Sequence, residues 1–221
     1  MNATALLHLL QFASPALPIG GYSYSQGLEA AIEQGVVTDA GSARAWIVAY
    51  LNGVMATWDG PLLWRLMQAF TSFDADAVAL WSERFIASRD TAEFRAESIQ
   101  MGYSLVRLIA ELGVADVSGL GAEVALPTAF ACAVAGLDIA PEDALLAWLF
   151  AWAENQVLVC VKSVPLGQVA GQRLLLSLRA DLEQAATCAR SLPDDALSNW
   201  APGLSMLSMQ HEVQHGRLYR S

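Results

Sequence analysis

Lysine is nearly absent from this chain: Lys162 is the single one in 221 residues. A Walker A loop needs Gly-Lys-Ser/Thr to hold phosphates, and Lys162 stands between Val161 and Ser163, so the P-loop nucleotidases are excluded. Lys and Arg together number 12 against 22 Asp and Glu, a formal net charge of −10. Nucleic-acid affinity rests on counterion release by Lys and Arg, so no nucleic-acid partner is expected. Cysteine is also scarce. Cys132, Cys160 and Cys188 are far apart, odd in number and without a C-x-x-C spacing. That excludes a disulfide framework and fits buried thiols in a reducing compartment. No Lys or Arg precedes Arg44, so the basic n-region of a secretory signal is missing and a cytoplasmic location is expected. No period-two run with hairpin chemistry occurs, and no repeat, linker or low-complexity stretch.

What is present is apolar. Hydrophobic residues make up 55% of the chain and charged residues only 15%, against a usual charged share of about 25%. A chain of this size can bury one substantial core without a metal or disulfide staple. The surplus of apolar surface predicts exposed patches that partners cover. The longest apolar run, 144–161, is interrupted by Glu154-Asn155-Gln156. That triplet would cost several kcal/mol inside a bilayer, so the run reads as a buried helix and no membrane partner is expected.

Nearly every segment has helical spacing. Leu6, Leu9 and Leu10 pattern the first helix, which stops at Ser14-Pro15. Two prolines and two glycines then make 14–22 a loop, after which Ser23 or Ser25 can cap a short helix ending at Gly35. Asp39 or Ser42 opens the next helix. Asp59-Gly60-Pro61 predicts a restart, with Asp59 as cap and Pro61 in the first turn. Further helices are expected over 74–88, 91–112, 127–136, 141–161, 168–190 and 204–214, with 114–123 a loop. Chain order and short connections predict an all-α bundle of about ten helices in one domain, 1–221, ending in a short interaction tail, 216–221.

Several residues invite chemical readings. His211-Glu212-Val213-Gln214-His215 fits H-E-x-x-H, in which two imidazoles one turn apart bind zinc and the Glu is general base. Its alternative is a solvated helical face near the chain end, and no downstream third ligand follows His215 within this sequence. Gly21-Tyr22-Ser23-Tyr24-Ser25 resembles a nucleophile elbow lacking its final glycine and its preceding strand, so turn chemistry and capping explain both serines. Lys162 reads as a helix-end cation near the Pro165 break rather than a Schiff-base lysine. Glu93, Arg95 and Glu97 read mostly as an exposed charged face, and the seven tryptophans as core or interface mass.

Four ordered motifs carry a family resemblance. They are the run from Ser14-Pro15-Ala16-Leu17-Pro18-Ile19-Gly20-Gly21-Tyr22 to Ser25-Gln26-Gly27-Leu28-Glu29, then Glu93-x-Arg95, then Val161 to Gln168 with Gly171-Gln172, and last His211-Glu212 with Arg217-Leu218-Tyr219-Arg220-Ser221. Across essentially its whole length the chain resembles the urease accessory proteins of the UreF family, whose pattern commonly has an aromatic where His215 stands. The resemblance implies an all-α protein that tends to dimerise and is not an enzyme. It implies binding to UreD (UreH in some species), recruitment of the GTPase UreG, and docking on apo-urease to direct nickel into the urease active site. Nickel and GTP are then handled by partners, and this chain holds no metal or cofactor of its own. The resemblance places Tyr22, Ser23, Ser25, Arg217, Leu218, Tyr219 and Ser221 on a partner-binding surface. Lys162 and Gln168 would hold the break that positions the tail, and Leu146 and Phe150 would lie on the homodimer face. The zinc hydrolase remains the alternative reading.

Overall fold

Side-chain caps set four helix starts. In a computed structural model, which describes residues 2–221, Asn2 accepts from the Ala5 amide at 2.8 Å and opens α1 (Ala3–Phe12). Leu28–Glu33 form α2. Asp39 accepts from the Ser42 amide at 2.8 Å in a reciprocal capping box that opens α3 (Ala40–Tyr50). Asp74 and Thr91 accept from the Ala77 and Phe94 amides and open α5 (Ala75–Ala87) and α6 (Ala92–Leu112). Between α3 and α5 stands α4 (Gly60–Thr71). The remaining helices are α7 (Leu126–Gly136), α8 (Pro141–Ser163), α9 (Gln168–Ser177), α10 (Arg179–Ser191) and α11 (Pro202–Glu212). Among the described residues there is no strand. The all-α class stands.

Several helix boundaries differ from the sequence reading. The restart at Asp59 does not occur: α3 runs into α4 through a π-helical stretch, Leu51–Asp59. Asp59 keeps helical dihedrals and makes no cap; its carboxylate pairs with Arg89 at 2.7 Å instead. Pro61 offers no amide to the Thr57 carbonyl, which accepts from Ser198 at 3.1 Å. The helix expected over 168–190 divides at Leu178. There the Ser177 hydroxyl turns back to the Leu174 carbonyl at 2.7 Å, and the Leu178 amide takes a three-residue bond to Leu175. The last helix ends at Glu212, two residues before the expected Gln214.

The core is continuous and helical. Leu62, Leu63, Leu66 and Met67 of α4 are fully buried, as are Leu145 and Leu149 of α8. Around them pack α5, α7 and α10. The apolar α8 is long enough to cross a membrane, but half of its most hydrophobic window is buried among the other helices. The loop between α6 and α7 is seated closely at both ends. A Cβ on Gly102 would lie 2.0 Å from the Val124 carbonyl, and one on Gly136 would lie 2.5 Å from the Val114 carbonyl. Only glycine permits these approaches. Burial pushes the thiols of Cys132 and Cys160 up to about 11 and about 12, which suits inert packing.

Candidate functional site

Three of the four separated motifs meet at one place, and the run from Val161 comes near it at Lys162. After α11 the chain folds back, and residues 217–221 lie against the loop before α2, the start of α6 and, at Tyr219, the end of α8. Ser25 and Gln26 donate their amides to the Ser221 carbonyl at 2.8 and 3.0 Å, and the Ser25 hydroxyl donates to the same oxygen. Arg220 donates its amide to the Ser23 carbonyl at 2.8 Å. Gln26 and Gly27 take left-handed backbone, with φ of 57° and 80°, which turns the loop into α2.

Glu29 is the anchor of the tail. Its carboxylate accepts from the amides of Leu218 and Tyr219 at 2.7 and 3.0 Å. One of its oxygens also lies 3.0 Å from His211 Nε2. His211 Nδ1 is 2.7 Å from Glu93, whose other oxygen pairs with Arg217. Both nitrogens of the fully buried ring thus face carboxylate oxygens, so its hydrogen bonds are spent inside the chain.

A third carboxylate completes the floor. Glu97 accepts from Ser221 Oγ and from Gln26 Nε2, each at 2.6 Å. Burial pushes its carboxyl up to about 7, against the pull of those two hydrogen bonds. Gln26 in turn accepts from Trp152 Nε1 at 2.7 Å. From α8, Asn155 donates to the Tyr24 carbonyl at 2.9 Å and Gln156 to that of Ser25 at 3.2 Å. The polar triplet that interrupts the apolar run is therefore where the loop docks. Lys162 is exposed, with Nζ 5.9 Å from the centre of the Tyr219 ring. A cavity of 160 Å³ lies beneath the loop, lined by Asp59, Arg89, Glu97 and Asn155 among others.

The residues singled out in the sequence divide by exposure. Ser25, Tyr219 and Ser221 are buried and spend their hydrogen bonds or ring contacts inside the chain, whereas Tyr22 and Leu218 are 62% and 74% exposed. Ser23 supplies its carbonyl to the tail, and Arg217 is partly engaged through Glu93. Gln168 is exposed at the first position of α9. Leu146 and Phe150 lie apart from the tail, on a partly exposed face of α8.

Two readings of the site are corrected. Glu93 and Glu97 are not an exposed face: Glu97 is buried and Glu93 half-buried, leaving Arg95 outside, paired with Glu123. His211 and His215 do not share a helical face either. The helix ends at Glu212, His215 is exposed beyond it, and both nitrogens of His211 are occupied by Glu29 and Glu93. Sequence reasoning quoted Gln26 and Glu29 in the first motif without giving them a role, and missed Asn155 and Gln156 as residues that hold the loop. The polar triplet in α8 was the visible signal of the last two.

Together these features define an all-α protein whose polar cluster holds its own carboxy-terminal segment in a fixed shape. A family model for UreF matches residues 37–179. The chain is 65% identical to the urease accessory protein UreF of Janthinobacterium sp. (strain Marseille), over 100% of each chain. It is 57% identical to the protein of that name from Nitrosospira multiformis, over 98% of each, and 50% identical to that of Delftia acidovorans, over 100% and 99%. The chain belongs to the UreF family.

Proposed function

We propose that this chain is a non-catalytic adaptor of urease maturation. It bridges UreD (UreH) and the GTPase UreG on apo-urease, so that nickel enters the urease active site under GTP hydrolysis. It holds no metal or cofactor of its own, acts in the cytoplasm, and pairs with a second copy through the face bearing Leu146 and Phe150. Full-length similarity to proteins named urease accessory protein UreF supports the role. The observation that carries the bridging is the clamped tail: buried Ser25, Tyr219 and Ser221 fix the backbone, and that shape leaves Tyr22 and Leu218 in solvent. An exposed tyrosine is an efficient anchor for a protein partner. Lys162 and Gln168 flank the helix break beside the tail and support its position.

Co-expression with UreD and UreG tests this reading. Tyr22→Ala combined with Leu218→Ala removes no hydrogen bond of the clamp, so the variant folds. It should lose UreG from a pull-down while retaining UreD. UreG captured at the level of the unaltered chain would overturn the assignment of this surface.

A further inference from the structure

Far from the tail, α4 and α5 form one wall of a groove of 390 Å³, and the 113–125 loop forms the other. Its floor is apolar: Phe70, Val78, Ile86 and Leu120 are all partly open to solvent. Its rim is acidic. Asp74, Glu83, Asp116 and Glu123 line it, all four are exposed, and no Lys, Arg or His does. Among the described residues only Glu123 is neutralised, by Arg95 at 2.7 Å. The Ser118 amide and hydroxyl hold the Asp116 carboxyl below its ordinary range, so it is ionised at neutral pH. Phe73 stands at the mouth, 94% exposed. It occupies the left-handed position closing α4, with φ of 56°, where glycine rests without strain. The fold gains neither burial nor backbone ease from this ring.

We propose that this groove docks a protein segment in which an apolar side chain is flanked by Lys or Arg. The apolar floor takes the side chain, Phe73 covers it, and the unneutralised carboxylates pair with the flanking cations. Charge complementarity selects this occupant: an acidic or anionic surface, including an anionic lipid headgroup, would meet like charge on three sides. One wall is rigid helix. The other is irregular chain that packs Val117 and Leu120 on the core and leaves open space beside Gly119 and Gly121.

The probe is an amidated peptide of sequence Lys-Leu-Lys-Phe-Lys-Leu-Lys-Gly, titrated into the isotope-labelled full chain, with a control carrying Glu for every Lys. Amide shifts should map to residues 70–86 and 116–124 and be absent with the control. Phe73→Gly should weaken binding by about tenfold while raising the thermal midpoint, which separates lost contact from lost fold. Glu83→Gln with Asp116→Asn should weaken it by a few-fold and flatten its salt dependence. Shifts scattered over the acidic surface, or unchanged affinity in Phe73→Gly, would overturn the proposal.

Discussion

Two parts of this molecule use carboxylates in opposite ways. At the tail, Glu29, Glu93 and Glu97 are withdrawn from water and nearly every oxygen meets a donor from another element. At the α5 groove, Asp74, Glu83 and Asp116 stay in water and carry no ion pair, over an apolar floor left uncovered. A buried network is favourable only when complete, because each lost partner strands a desolvated group. Its members therefore hold or fail together, and the tail has one shape. Solvated carboxylates need no partner to be stable, and so remain free to take one from another chain.

The contrast can be broken from either side. Gly102→Ala should have the largest effect: the new Cβ meets the Val124 carbonyl at 2.0 Å, so the groove wall must lift from α6. A loss of about 4 kcal/mol in urea denaturation is expected, with the tail contacts intact in amide exchange. Glu29→Ala comes next. It strands two amides and a buried imidazole nitrogen, and should cost about 3 kcal/mol. Limited proteolysis should then cleave within 213–221 while the groove is unchanged.

Glu97 sharpens the comparison through pH. Burial raises its carboxyl from 4.5 to about 7. Between those values the native state holds a proton that the unfolded chain has released, so stability falls as pH rises across that window. The fall is on the order of 2–3 kcal/mol, and Glu97→Gln should flatten it in thermal melts from pH 4 to 8. The smallest effect belongs to Phe73→Gly. Relief of left-handed strain should raise stability by about 1 kcal/mol, a gain of a few degrees in the thermal midpoint.

Much of the fold was legible because capping and breaking are local. Asp39, Asp74, Thr91 and Gly113 mark helix ends within a few residues of their own positions. One clear error fell where a distant group decided the outcome. Asp59 had the chemistry of a cap, but Arg89, thirty residues on, took its carboxylate. The site was half legible. Its motifs could be read in order, yet burial reversed the roles of several members. Glu97 and His211 have the side chains of surface residues, and only the fold-back of the tail removes them from water.

The order of apolar and polar residues along the chain determined that this protein is a helical bundle with surplus apolar surface and few cations. Spacing of 3.6 residues and local caps act over one or two turns, and a single chain carries that information openly. The convergence of Glu29, Glu93, Glu97 and His211 on residues 217–221 was decided by tertiary structure alone. Contacts across more than a hundred residues exist only once the core between them has formed, and only then does desolvation make the polar partners necessary to one another.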